Sequence, residues 1–188
     1  MKIIMSILLV YLLPVLVSAP KGVNFEHKQI NKELSSVLNL EKDEFSLTLL
    51  NIPVSADKPD EGRFYSISGD SSLLSYLYVG RVYTCPIGGC DNAKAENTGG
   101  SYEYFDYMVI FKPSFSVSKV SVFNYQASHG HQICSKGWLR QFIGYSGEDT
   151  LKVGKNIDSI SGATKSTNTI TTDIMKSRKI LSEYYSEG

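Results

Sequence analysis

Tyr104-Phe105-Asp106-Tyr107-Met108-Val109-Ile110-Phe111-Lys112, then Pro113-Ser114-Phe115-Ser116, then a second run from Val117 to Ala127, is the stretch that decides how this chain folds. Aromatic and branched side chains fit a pleated, half-buried surface, so both runs read as strands. The four residues between them carry a proline and two serines and make a turn, and the pair reads as a hairpin or tight meander. Two further strands precede it, Arg63 to Ser68 and Leu73 to Thr84, joined by Gly69-Asp70. A shorter β-prone run covers Phe45 to Ile52 and is closed by Pro53. Helical periodicity appears at both ends. Phe25 to Leu40 carries a stripe of Phe25, Ile30, Leu34, Val37 and Leu38, and Asn168 to Tyr185 places Ile170, Ile174, Leu181, Tyr184 and Tyr185 on roughly one side. A short helix over Ser135 to Phe142 carries Trp138 and Phe142. A run of strands flanked by helices predicts an α+β fold with an antiparallel sheet.

The chain has 188 residues, which suits one domain. Residues 20–98 read as its N-terminal part and residues 99–188 as its core. Between the strands, Ser55 to Gly62 reads as a turn and Asp91 to Ser101, rich in Asn and Gly, as a mobile loop. Nineteen basic residues balance nineteen acidic ones, which argues against a nucleic-acid partner, because a phosphate backbone needs a net basic face. No run of like charge suggests a polybasic membrane patch.

Residues 1–19 form a separate object: Lys2, then an uncharged apolar stretch ending in Val17-Ser18-Ala19. One cation, a short apolar run and small residues at its end have the form of an export signal. Pro20 directly after it is a poor partner for a signal peptidase, so the segment reads either as a cleaved signal or as a retained anchor. Both readings place the rest of the chain outside the cytoplasm, in the periplasm or at the outer face of the membrane. In such an oxidising compartment Cys85 and Cys90, in Cys-Pro-Ile-Gly-Gly-Cys, are a natural disulfide pair. The two pairings that use Cys134 stay open, as do a redox-active thiol pair and a metal site.

Several catalytic signatures are absent: no dinucleotide-binding Gly-x-Gly-x-x-Gly after a strand, no phosphate-binding Gly-x-x-x-x-Gly-Lys-Ser/Thr, no His-Glu-x-x-His and no Gly-x-Ser-x-Gly. The three histidines, His27, His129 and His131, are few for acid–base catalysis. One segment stands apart: Asp158-Ser159-Ile160-Ser161-Gly162-Ala163-Thr164-Lys165-Ser166-Thr167. Gly162 and Ala163 leave backbone uncovered, so a bulky group can come close. The hydroxyls of Thr164, Ser166 and Thr167 fall where a helix begins and its unpaired N–H groups favour a phosphate. The plainer reading of the same residues is a capped turn before a helix.

The string resembles the Asp-x-x-Ser/Thr-Gly-Ala-Thr flavinylation motif of the FMN-binding domain family, which includes the flavoprotein subunits of Rnf-type complexes and of the sodium-translocating quinone reductase. The resemblance implies FMN as a covalent cofactor, held through its 5′-phosphate on the hydroxyl of Thr164. Asp158, Ser161, Gly162 and Ala163 would be the string recognised by a flavin transferase of the ApbE family, which installs the group from FAD. Likeness continues through Tyr104 to Phe111, Ser118 to Tyr125, the His129-Gly130-His131-Gln132-Ile133 turn and Trp138-Leu139-Arg140-Gln141-Phe142-Ile143-Gly144. It covers about residues 102–186.

That family implies an FMN-binding-domain-like fold and an electron-transfer role with unknown membrane or periplasmic redox partners, a carrier rather than a stand-alone enzyme. Trp138 and Phe142 are then candidates for an apolar wall beside the flavin, His129 and His131 for pocket residues, and Lys136, Arg140 or Lys165 for a cation near a reduced ring. The competing expectation is an exported, non-flavin protein binding a metal or another ligand through Cys85, Cys90, His129, His131 and Cys134.

Overall fold

The computed structural model describes residues 22–52, 61–70, 72–87 and 102–186. Residues 1–19, read above as an export signal or anchor, the Asp91–Ser101 stretch read as a loop, most of the Ser55–Gly62 turn and Cys90 lie outside them. The described chain runs α1 (Lys28–Leu38), β1 (Ser46–Leu50), β2 (Gly62–Gly69), β3 (Ser72–Pro86), β4 (Tyr102–Phe111), β5 (Val117–Tyr125), α2 (Lys136–Leu139) and α3 (Thr164–Ser186). The five strands form one sheet in sequence order, and every neighbouring pair is antiparallel. The fold is therefore α+β, an antiparallel meander with flanking helices. β3 and β4 pair across Tyr76–Tyr83 and Tyr104–Phe111, so residues before and after the undescribed 88–101 segment share one sheet.

Side chains alternate across a strand, and here both faces are covered. On one face Phe64, Tyr78, Val82, Phe105, Tyr107, Val109 and Phe111 pack with Trp138, Phe142, Ile170, Ile174 and Leu181. On the other, Ile67, Leu77, Val79, Met108, Ile110 and Phe123 pack with Ile30 and Leu34 of α1. Double coverage explains why the central strands read as nearly unbroken apolar runs.

Local chemistry sets the helix ends. α1 is shorter than the predicted Phe25–Leu40. Nδ1 of His27 accepts the Gln29 N–H at 3.2 Å and caps its start, while Asn39 in the left-handed conformation ends it. The predicted Ser135–Phe142 helix is one α turn, opened by the Ser135 hydroxyl accepting the Trp138 N–H, followed by a tighter 3-10 turn over Arg140–Phe142.

α3 begins at Thr164, four residues before the predicted Asn168: the Thr167 N–H already donates to the Ala163 carbonyl at 2.9 Å, and hydroxyl side chains fold back onto the same row of carbonyls. Thr167 donates to the Ala163 carbonyl (3.1 Å) and Thr171 to the Thr167 carbonyl (2.7 Å). Satisfied in this way, Thr167, Thr171 and Ser177 are buried alongside Ile170, Ile174 and Leu181, as is Ser166, whose side chain meets Tyr125. The predicted stripe is thus half hydroxyl, and its last members, Tyr184 and Tyr185, are each 41% exposed.

Candidate functional site

The segment Asp158–Thr167 leads into α3 and is held at three points. The first is Asp158 itself. Its N–H donates to Oε1 of Gln141 (2.8 Å) and its carbonyl accepts the indole N–H of Trp138 (2.8 Å). Gln141 is tied back to the Trp138 carbonyl at 3.2 Å. The Trp-x-x-Gln spacing therefore clamps the backbone of Asp158 from both sides. Trp138 lies in the core, edge-on to Phe142 with ring centroids 5.2 Å apart, and Phe142 is fully buried.

The second point is Ala163, buried beneath the turn that opens the helix, with its N–H on the Ile160 carbonyl. A Cβ added to Gly130 would lie 2.7 Å from the Ala163 Cβ, and Gly130 has φ +84°, so this contact needs glycine on one side and a small residue on the other. The third is Tyr125. Its hydroxyl donates to the His129 carbonyl and also meets the Ser166 side chain, and its ring stacks on Phe105 at 5.6 Å. His131 meets the Tyr125 ring edge-on at 5.1 Å. The His129–Ile133 turn and the Ser161–Thr164 string, thirty residues apart, are brought together by this packing.

These anchors separate the three hydroxyls that open the helix. Ser166 and Thr167 are buried, and Thr167 donates to the carbonyls of Ala163 and Thr164. Thr164 is exposed, as are Asp158, Ser161 and Gly162. Gly162 has φ +76°, and a Cβ there would meet nothing within 4 Å. Expecting all three hydroxyls to be available to a phosphate is therefore corrected: tertiary packing leaves Thr164 outermost. His129 is also exposed, and Lys136 and Arg140 lie on the surface of the 136–142 segment.

Beside Thr164 a shallow, open depression of about 350 Å³ lies on the face of α3 that carries Lys165, Asn168, Thr169, Thr172 and Asp173. Asn168 connects it to the string by donating to the Thr164 carbonyl at 2.8 Å. At its far end, Oδ2 of Asp173 accepts hydrogen bonds from Tyr107 (2.6 Å) and Tyr78 (3.2 Å). Burial outweighs these two bonds and raises the Asp173 carboxyl above the usual carboxylate range. The phenols of Tyr78 and Tyr107 rise well above their ordinary value, first through burial and then through the neighbouring carboxylate. Gly62 and Gly80, paired across β2 and β3, make the space that the Tyr78 hydroxyl occupies.

The sequence reading did not single out Tyr125, Tyr78, Tyr107 or Asp173 as site residues. One signal was present for Asp173: it is a carboxylate placed beside Ile170 and Ile174, the apolar positions of a hydroxyl-rich helix.

Cys134 is a free, half-buried thiol whose pKa burial pushes up to about 11, so it stays protonated at neutral pH. The two expected alternatives that pair Cys134 are thereby corrected, and Cys90 lies outside the described residues. Among the described residues no group of three His, Cys, Asp or Glu side chains could hold a metal ion, and no helix is long and apolar enough to cross a membrane. No protein-family model matches the chain, and no curated protein matches it.

Proposed function

We propose that this chain is an extracytoplasmic electron-transfer flavoprotein, FMN-binding-domain-like in fold, with FMN joined by a phosphoester to Thr164. The observation that carries this reading is the sorting of hydroxyls at the start of α3: Thr164 is exposed at the end of Asp158-x-x-Ser161-Gly162-Ala163-Thr164, while Ser166 and Thr167 are buried. The residues around it suit the group. The backbone at Gly162 is open on its outer side, so a bulky group on Thr164 meets no side chain there.

Attachment requires a partner enzyme, an ApbE-type flavin transferase using FAD. Thr164 Oγ1 forms a bond to the flavin-side phosphorus, the pyrophosphate P–O bond breaks, AMP leaves, and the hydroxyl proton passes to a base of the transferase. Asp158, Ser161 and Gly162 form the exposed approach, Ala163 packs beneath it, and the Trp138 and Gln141 clamp keeps that approach in one conformation. Once bound, the flavin supplies one- or two-electron chemistry. The protein's own task is then to anchor, orient and partly shield it, while donors and acceptors at the membrane or in the periplasm supply and remove electrons. The Cys85–Cys90 disulfide belongs to the same proposal.

Co-expression with a flavin transferase in an exporting host tests it. Intact mass should rise by one FMN less one water, with a fluorescent band surviving denaturing electrophoresis, and Thr164→Val should abolish both. An unmodified wild-type chain, or full labelling of Thr164→Val, would refute the assignment.

A further inference from the structure

We infer that Phe115, Tyr76 and Tyr185 form an aromatic clasp that straps the last turn of α3 to the loop between β4 and β5 and holds that loop in a strained conformation. The clasp is independent of the Thr164 reading and lies at the opposite end of α3. In the loop, the Phe115 N–H donates to the Lys112 carbonyl at 2.8 Å and the Lys112 N–H to the Ser116 carbonyl at 2.9 Å. This is a tight turn followed by one residue in the left-handed region, a hairpin connection that normally gives that residue to glycine. Here it is Phe115, at φ +62°. A bulky side chain at such a φ is a genuine outlier, and it persists only where the surroundings over-determine it.

What holds Phe115 comes from other elements. Its ring stacks on Tyr185 of α3, with centroids 5.7 Å apart and planes 23° from parallel, and lies 5.5 Å from the ring of Tyr76 on β3. Tyr185 in turn lies 5.0 Å from Tyr76, so three rings from a loop, a strand and a helix close on one another. Tyr76 is 3% exposed and Tyr185 41%, which gives the clasp a buried base and an outer jaw. The helix depends on that jaw. Leu181 is its last buried residue, and the turn beyond it would fray without a tertiary tie. Releasing Tyr185 removes the stacking that offsets the strain at Phe115 and uncovers Tyr76. The helix end and the hairpin loop therefore open together as one unit.

Residue-resolved amide hydrogen exchange on the full chain tests this in both directions. Tyr185→Leu changes an exposed position, yet should speed exchange at the Lys112 and Phe115 amides, as well as in the last turn of α3, by roughly tenfold or more. Phe115→Gly suits the loop's own geometry and should keep the Lys112 amide protected, but should speed exchange in the last turn of α3 by a similar factor. Phe115→Tyr keeps the ring and should leave both regions at wild-type rates. Unchanged loop amides in Tyr185→Leu, or an unchanged helix end in Phe115→Gly, would overturn the clasp and leave Phe115 as a locally strained residue only.

Discussion

The two faces of the sheet bury polar groups in opposite ways. On the α1 face, charge meets countercharge. Arg81 and Asp106, register partners on β3 and β4, are joined by two contacts of 2.7 and 3.1 Å, Asn124 donates to the same carboxylate, and the guanidinium lies over the Tyr104 ring. Lys119 of β5 pairs with Glu33 of α1 at 3.1 Å. On the α3 face, Asp173 is held by two phenols, and the helix buries hydroxyls that bond back to its own backbone. A paired ion network locks an arrangement and leaves little unspent valence, whereas a carboxylate held by neutral donors keeps an oxygen and a proton equilibrium in hand. The α1 face closes its polar groups in ion pairs and the α3 face in neutral hydrogen bonds.

That contrast can be broken by substitution, beginning with the largest effect on stability. Leu34→Ala on α1 removes a fully buried side chain and should cost about 2–5 kcal/mol in denaturant unfolding, without reducing flavin attachment to the folded fraction. Loss of attachment in folded Leu34→Ala protein would show that the faces are coupled. Gly130→Ala drives a Cβ to 2.7 Å from Ala163 at a φ of +84° and should cost about 1–3 kcal/mol. Unlike Leu34→Ala, it should also slow transfer to Thr164, because it displaces the string itself.

Trp138→Phe keeps an aromatic ring in the core but orphans the Asp158 carbonyl, at about 1–2 kcal/mol. Its diagnostic readout is faster hydrogen exchange around Asp158 than elsewhere.

Asp173→Asn sharpens the comparison through pH. Burial raises the Asp173 pKa in the folded chain, so the folded state holds this proton more tightly than the unfolded one. Its contribution is present in full below the unfolded carboxylate pKa and is lost as pH rises through the higher folded value. Unfolding free energy measured across that window should fall with rising pH for the wild type and fall less for Asp173→Asn. Identical slopes would remove Asp173 as the titrating group. Thr164→Val should have the smallest effect on stability, within about 0.5 kcal/mol for an exposed position, while attached flavin disappears entirely.

Much of the architecture was legible before any coordinates. All five strands were visible as aromatic and branched runs, and Pro113–Ser116 gave the turn between β4 and β5. The helices were visible too, with errors at their ends. α3 was predicted to start at Asn168 because threonine and serine score as cap and turn residues. Inside the fold the backbone ladder runs back to Ala163, and the Thr167 hydroxyl is absorbed by carbonyls three and four residues back. Of the candidate site, the Asp158–Thr164 string and the Trp138–Phe142 segment were legible, but the clamp between them was not, since a hydrogen bond over twenty residues leaves no local pattern. Trp138 and Phe142, candidates for a wall beside a ligand, lie in the core, where Trp138 serves the string through its indole nitrogen.

The residues alone determined the strand runs, the helical ends and a bare glycine-alanine turn bearing hydroxyls, because side-chain periodicity and backbone freedom are local properties. Only the tertiary structure decided which hydroxyl stays outside and which carboxylate sits between two phenols. Both depend on burial and on hydrogen-bond partners from distant strands, and neither burial nor a partner is written at the position it acts on.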